Sequence, residues 1–180
     1  MKILSPRTIA ILSLLLIIAG GRMASAQGPS MARPNYPPPL ISLPEARAII
    51  EGAIAYARET KLPMAVVVVD HAGNVVSADR MDGASLQNIR FAEGKAFASA
   101  LYRQTTEELG ALYKTRPDRY FGIMNMYGNK VYLVGGGVPL TIDGRLVGAV
   151  GVAGLPQGVD EKAARAGIAA WEKFREKMKK

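Results

Sequence analysis

The sequence contains no cysteine and only one histidine, His71, and both scarcities exclude classes of site. Without cysteine there is no disulfide, no thiolate metal site and no lipidated N-terminal cysteine. One histidine cannot supply a multi-histidine metal shell. Because the chain has no cysteine and only this histidine, a catalytic nucleophile–histidine pair is nearly excluded. The Gly-x-Ser-x-Gly motif of serine hydrolases is also absent from the sequence. We therefore set covalent hydrolase chemistry aside.

Long hydrophobic runs are scarce too, and the one candidate lies near the N-terminus. Lys2 and Arg7 precede an apolar block over residues 9–19, and Ala24-Ser25-Ala26 has the small-x-small form of a secretory cleavage site. The block is shorter than the roughly 18 to 20 residues that a spanning helix needs. The pattern predicts a signal peptide over residues 1–26, cleavage near Ala26, and a periplasmic or secreted protein without a stable membrane anchor.

A strong excess of charge of one sign is lacking in the predicted mature chain. The net charge of the whole chain is +8, and it falls to +5 when Lys2, Arg7 and Arg22 leave with the signal peptide. The remaining basic residues are spread along the sequence, apart from the tail from Lys173 to Lys180, which we interpret as the solvated end of an amphipathic helix. We therefore expect no nucleic-acid partner.

The first part of the mature chain predicts a tether followed by a helix. Residues 27–41 are rich in proline, glycine and serine without hydrophobic periodicity, which is typical of a flexible tether. Ser42 and Glu45 are spaced as a capping box, and apolar residues then recur at helical spacing over residues 43–60. The length that remains suits one domain with a hydrophobic core, over residues 42–180.

The stretch 64–83 predicts a central hairpin. Five consecutive apolar residues, Ala65 to Val69, are too few for an ordinary helix and suit a strand that is buried on both faces. Turn-forming residues from Asp70 to Asn74 follow, and Val75 and Val76 restart the apolar pattern. His71 falls in this turn, where we expect its side chain to face solvent.

Two further helices are expected after the hairpin. Alanines at helical spacing predict a second helix that ends near Arg103. Thr105 and Glu108 have the spacing of another capping box, which predicts a short third helix that Pro117 terminates.

The C-terminal part predicts strands and a last helix. Apolar runs at 131–134, 138–142 and 146–153, interrupted by glycines, predict a second antiparallel meander. Asp160 is expected to cap a final helix. This order of elements predicts an α/β (α+β) domain with a mainly antiparallel sheet and helices packed on it, and it is not a βαβ repeat.

Three polar features are candidates for a binding site. The glycines Gly135 to Gly137 would let an anion approach backbone N–H groups, or would simply bend a strand. Arg80 and Asp82 project to the same side of an extended segment, as ligand contacts or as a local ion pair. Lys95 lies among small apolar residues, where its ammonium is expected to turn towards a carboxylate or a ligand.

Seven short motifs follow one another along the chain. They are Val66 to Asp70 with Gly73, Arg80-Met81-Asp82-Gly83, Lys95-Ala96, Thr106, Gly136-Gly137-Val138-Pro139, Gly148-Ala149-Val150-Gly151 and Asp160-Glu161. In this order they resemble the GlcG/HbpS family of haem-binding proteins, over roughly residues 42 to 172.

The resemblance implies a single three-layer α/β/α domain with an antiparallel central sheet, homo-oligomers and, for secreted members, binding of haem or iron. Those members are linked to haem sensing or breakdown. Cytoplasmic relatives accompany glycolate utilisation, and a related domain is fused to cobalamin adenosyltransferases. Because a shared fold predicts architecture better than ligand, the ligand needs its own support.

The resemblance also implies site residues. Thr106 matches a threonine proposed near the haem iron in some members, which makes it the candidate metal ligand, whereas Thr105 stands where proline is common. Helix capping is the alternative role for both threonines. The predicted cofactor-binding residues are Thr106, Lys95, Arg80, Asp82, Gly136 and Gly137. Candidate pocket walls are Met81, Phe91, Met124, Met126 and Tyr127, with Arg80, Lys95 or Arg90 near the propionates.

The leading hypothesis is therefore an exported, oligomeric haem- or tetrapyrrole-binding protein without a strong catalytic signature. The rival is a carboxylate-binding protein or acid–base enzyme in which Asp82, Lys95 and Asp160 transfer protons and the glycines hold an oxyanion. A third hypothesis is a module whose ligand is another protein.

Overall fold

The structure, a computed structural model, describes residues 41–156 and 158–179. The predicted signal peptide at 1–26 and all but the last residue of the predicted tether at 27–41 lie outside these residues and stay predictions. In the part of the chain that is described, no helix is long and apolar enough to cross a membrane.

Five helices and four strands make up the described residues. The helices are α1 Leu43–Thr60, α2 Asn88–Tyr102, α3 Thr106–Thr115, α4 Pro117–Tyr127 and α5 Val159–Met178, and the strands are β1 Ala65–Asp70, β2 Val75–Arg80, β3 Gly137–Ile142 and β4 Arg145–Ala153.

Helix α1 begins at the predicted capping box. The Ser42 hydroxyl accepts a hydrogen bond from the Glu45 backbone N–H, and the Glu45 carboxylate accepts one from the Ser42 backbone N–H at 3.0 Å. Lys61 ends the helix in the left-handed conformation, with φ 55°. The prediction of a helix over residues 43–60 is confirmed, because the cap and the following proline mark its ends in the sequence itself.

The sheet has the strand order β2-β1-β4-β3, and every neighbouring pair is antiparallel. Strand β1 is an inner strand, and its residues Ala65 to Val69 are all buried, as the apolar run predicted. Val66 and Val68 face a core formed with α1 and α5, whereas Val67 and Val69 face the alanines of α2. The described residues thus form the predicted three layers, with helices on both faces of an antiparallel sheet.

Helix α2 lies very close to the sheet because both surfaces carry small residues. A Cβ placed on Gly151 of β4 would collide with the Ala92 carbonyl and would lie 2.6 Å from the Ala96 backbone nitrogen. Alanine on the helix and glycine on the strand therefore set the distance between these layers. This close approach is what brings Lys95 of α2 next to the backbone of β3 and β4.

One prediction about the middle of the chain is wrong, and one helix there was not predicted. Residues 131–134 do not form a strand: Val131 packs with Ala98 and Leu109, and the Tyr132 N–H donates to the Gly94 carbonyl at 3.2 Å. The segment packs against α2 instead of pairing with the sheet. Pro117 does not only end a helix, because it also begins α4, which suits proline at a first helical position.

The predicted cap of the last helix is also wrong. Helix α5 begins after Gly158, which occupies the cap position with φ 78° and makes no side-chain hydrogen bond. Asp160 lies one residue inside the helix, in its first turn, and its side chain is buried. A carboxylate in a first turn usually faces solvent and the free N–H groups of the helix, so its burial here points to a different partner.

Candidate functional site

The partner of Asp160 is Lys95. Its ammonium donates to Asp160 Oδ2 at 2.6 Å and to the Val152 carbonyl of β4 at 2.8 Å. Lys95 is only 2% exposed, and the Asp160 carboxylate also accepts the Leu155 N–H at 2.9 Å. The ring of Tyr132 lies 6.0 Å from the ammonium. The expectation that the Lys95 ammonium turns towards a carboxylate or a ligand is met by Asp160.

Burial dominates the protonation equilibria of both residues. Loss of water lowers the pKa of Lys95, and the attraction of the Asp160 carboxylate opposes that shift. Loss of water raises the pKa of Asp160, and the Lys95 charge and the Leu155 N–H oppose it. Each charged form is thus tolerated in this interior only because the other is present.

Gly136 and Gly137 lie directly against this ion pair. Gly136 has φ +123°, and a Cβ there would stand 2.6 Å from the Val152 carbonyl and 3.1 Å from Lys95 Nζ. A Cβ on Gly137 would stand 2.5 Å from the Lys95 carbonyl. The Gly136 carbonyl accepts the Val152 N–H at 2.9 Å. Here the glycines let the chain pass close to Lys95 and Val152, the role that a strand bend requires.

Thr106 contacts the same glycine segment. The side chain is fully buried, its hydroxyl donates to the Val134 carbonyl at 2.8 Å, and it accepts the Gly137 N–H at 2.7 Å. Thr105, by contrast, caps α3 through the Glu108 N–H. Of the two threonines, only Thr105 serves as the helix cap. We call Lys95, Thr106, Gly136, Gly137 and Asp160 the buried polar cluster.

Arg80 and Asp82 lie outside the buried polar cluster. They line a surface cleft of about 540 Å³ together with Ile54, Arg58, Ala78, Asp79 and Met81. The Arg80 guanidinium donates to the Ala84 carbonyl at 2.7 Å instead of pairing with Asp82, which is exposed. The structure therefore brings together four of the six predicted cofactor-binding residues and separates the other two from them. The proton-transfer set of the rival hypothesis is divided in the same way, because Asp82 is exposed whereas Lys95 and Asp160 bond each other.

The predicted apolar walls are dispersed in the described structure. Phe91 stacks on Tyr132 at 4.8 Å, and Tyr127 meets Phe97 edge-on at 5.7 Å. Met126 is 78% exposed, and Met81 packs against the core between the sheet and helices α1 and α5. Met124 packs against a small separate cluster formed by Ala98, Leu109 and Val131. Arg90 forms an exposed ion pair with Glu93 at 3.4 Å. These side chains do not line one common pocket.

A different cleft lies at the end of the sheet where the two hairpins turn, and the sequence analysis missed it. Its volume is about 430 Å³, within the range typical of small-molecule sites. We call it the end cleft; it is lined by His71, Ala72, Gly73, Phe97, Ala100, Leu101, Arg103, Gly144, Arg145 and Leu146. His71 is exposed in the β1–β2 turn, as expected, but it lies on the rim of a cavity. The antiparallel pairing of Asp70 with Gly148 places both turns at one end of the sheet, and no local motif in the sequence marks this arrangement.

Comparison with known proteins assigns the chain to a family. Residues 41–169 match the model of the family described as haem degrading protein HbpS-like, and the chain therefore belongs to that family. Among individual proteins, it is 32% identical over 114 residues to an uncharacterised 15.0 kDa protein encoded between dhaT and dhaS in Citrobacter freundii, covering 63% of this chain and 80% of that protein. It is 29% identical over 133 residues to the corrinoid adenosyltransferase PduO of Salmonella typhimurium, covering 74% of this chain but only 39% of PduO.

Solved structures agree with this assignment. A double mutant of HbpS from Streptomyces reticuli is 31% identical with a TM-score of 0.69, and the match covers 80% of this chain and 97% of that chain. A complex of PduOC with haem is 28% identical with a TM-score of 0.67, covering 73% of this chain and 94% of that chain. The predicted family and its fold are confirmed.

Proposed function

We propose that this protein binds haem or a closely related tetrapyrrole. The observation that carries the proposal is the similarity to PduOC, a protein of the same fold whose structure contains haem, over nearly the whole of that chain. Membership of the HbpS-like family supports the same ligand. When bound, haem supplies an iron centre capable of redox and ligand-binding chemistry, and the protein sets its exposure and its axial ligand.

The residues of the chain are compatible with haem at the surface. The end cleft combines an imidazole, apolar walls from Phe97 and Leu101, and two arginines, which are the groups that recognise iron, macrocycle and carboxylates, respectively. The buried polar cluster offers fewer groups for binding haem, since the Thr106 hydroxyl and the Lys95 ammonium already have protein partners. The role of Thr106 as a metal ligand stays a prediction.

We further propose that the protein is exported and assembles into homo-oligomers, with a role in haem sensing, storage or breakdown. Export is supported by the N-terminal charge, apolar block and cleavage pattern. Assembly is supported by exposed apolar side chains on the neighbouring helices α3 and α4, namely Leu112, Phe121 and Met126. Cell fractionation with N-terminal sequencing would test export, and light scattering coupled to size-exclusion chromatography would test assembly.

Titration of the purified protein with haemin tests the main proposal. We expect a saturable shift of the Soret band with a fixed ratio of haem to protein. The control is the same titration with protein unfolded in denaturant, because haemin adsorbs to exposed apolar surface. A band that grows without saturation, or that is the same in folded and unfolded protein, would contradict haem binding by this fold.

A further inference from the structure

The end cleft is built from three segments that are far apart in sequence. The β1–β2 turn contributes His71, the C-terminal part of α2 contributes Phe97, Leu101 and Arg103, and the β3–β4 turn region contributes Arg145. Each segment is a turn or a helix end held by regular structure on both sides. The cleft is therefore a feature of the fold and not of one mobile loop.

The charge of the end cleft is uniformly basic. His71, Arg103 and Arg145 are its ionisable lining residues, and no carboxylate is among them. The neighbouring cleft of about 610 Å³, which shares Ala72, Gly73 and Phe97 with it, differs in this respect. Its Arg90 and Lys130 are accompanied by Glu93, which already pairs with Arg90. Of the two, the end cleft is the better acceptor for a dianionic ligand.

The turn that carries His71 is fixed by its neighbour Asp70. One oxygen of the Asp70 carboxylate accepts the N–H groups of Ala72 and Asn74, each at 2.9 Å, and the other accepts the Asn74 side-chain amide at 3.0 Å. Gly73 lies against the ring of Phe97, where a Cβ would stand 2.6 Å from it. The Asp70 carboxylate thus holds the turn in which His71 lies.

Arg103 is also held in an unusual conformation. It ends α2 with φ 56°, and its N–H donates to the Ser99 carbonyl at 2.9 Å. Glycine or asparagine is the usual residue in this left-handed cap, so a side chain here costs some stability. Lys61 ends α1 in the same conformation, so what distinguishes Arg103 is the position of its side chain, which lines the end cleft.

We propose that the end cleft is the tetrapyrrole site of this protein, with His71 as the iron ligand and Arg103 and Arg145 as partners of the propionate carboxylates. The proposal rests on the haem-binding function and gives it a location. Imidazole is a strong ligand of haem iron, whereas a neutral hydroxyl is not among its usual ligands. Phe97, Leu101 and Leu146 supply the apolar contact for the macrocycle.

The test compares haemin with protoporphyrin IX, which has the same propionates but no iron. We expect His71→Ala to weaken haemin binding about tenfold or more and to move the Soret band, while protoporphyrin IX binding changes little. Arg103→Gln and Arg145→Gln are each expected to lower the affinity for haemin and for protoporphyrin IX about threefold, which is the scale of exposed ion pairs. Arg58→Gln, an exposed arginine in the cleft of Arg80 and Asp82, is the matched control and is expected to change neither.

Thr106→Ser and Thr106→Val complete the comparison. Serine keeps the hydroxyl, and valine removes it. If Thr106→Val lost haemin affinity while Thr106→Ser and His71→Ala kept it, the iron would be placed at Thr106 and the proposal overturned. Circular dichroism at the assay temperature verifies that each variant is folded. If Thr106→Val unfolds, an unchanged haemin affinity of His71→Ala still overturns the proposal. A saturable haemin complex that none of the end-cleft substitutions alters would overturn the site but leave the function standing. Absence of any saturable complex with the unsubstituted protein would overturn both.

Discussion

The Lys95 ammonium and the Asp160 carboxylate meet at 2.6 Å although the two residues are 65 positions apart in the sequence. Lys95 belongs to α2, on one face of the sheet, and Asp160 to α5, whose core lies on the other face. The Val152 carbonyl of β4 binds the same ammonium. One buried ion pair thus links the two helical layers to the sheet between them.

Removal of Lys95 alone should destabilise the protein strongly. We expect Lys95→Met to lower the free energy of unfolding by about 3–5 kcal/mol, because it leaves the Asp160 carboxylate buried without its counter-charge. The double variant Lys95→Met with Asp160→Asn should recover a large part of this loss, since no buried charge remains. Urea denaturation followed by circular dichroism measures both. A loss below about 1 kcal/mol in the single variant would show that the carboxylate finds water or another partner.

The elements that could be predicted from the sequence are those whose ends are marked locally. Helix α1 begins at a capping box, α3 begins at the capping box of Thr105 and Glu108, and the run of valines in β1 is buried as a whole. The segment at residues 131–134 has an equally apolar pattern, yet it packs on α2. The Tyr132 N–H of this segment donates to the Gly94 carbonyl. This tertiary contact, which the local sequence does not show, favours packing on α2 over pairing in the sheet.

The candidate sites were predictable to a different degree. A lysine among small apolar residues indicated an ammonium turned towards a carboxylate or a ligand, and the structure supplies Asp160 as its partner. The end cleft left no such mark, because His71, Arg103 and Arg145 come from three separate segments. Each looks like an ordinary exposed residue until the antiparallel register of β1 and β4 brings the two hairpin turns to one end.

Gly137 is expected to be intolerant of any side chain. In Gly137→Ala the new methyl group would meet the Lys95 carbonyl at 2.5 Å and Thr106 Cγ2 at 2.6 Å, both held in buried structure. We expect a loss of about 1–3 kcal/mol in the free energy of unfolding, typical of an overpacked core. Chemical denaturation at neutral pH provides the measurement.

Gly122 offers the matched control for this substitution. It lies within α4, and a Cβ there would meet nothing within 4 Å. Gly122→Ala should therefore stabilise the protein by about 0.5–1 kcal/mol through helix propensity. If both alanine variants shifted stability in the same direction, the close approach at Gly137 would not be the cause of its effect.

Glu45 is expected to make stability depend on pH. Burial acts to raise its pKa, but hydrogen bonds from Ser42 and Trp171 and the charge of Arg175 together hold the pKa below the ordinary value of 4.5. The folded state therefore binds the proton of Glu45 less readily than the unfolded state does. The contribution of the carboxylate is fully present above about pH 4.5 and is lost as the pH falls through the lowered pKa.

The Glu45→Gln variant separates this contribution from the rest of acid unfolding. Glutamine can keep the capping box, so only the charge-dependent bonds to Trp171 and Arg175 weaken, and we expect a loss of about 1 kcal/mol at pH 7. The difference from the unsubstituted protein should shrink towards zero as the pH falls from about 5 to about 3. Urea unfolding across this range measures it, with Glu51→Gln as the control on the exposed side of the same helix. A difference that stays constant with pH would mean that the bonds of Glu45 stabilise the fold through shape and not through charge.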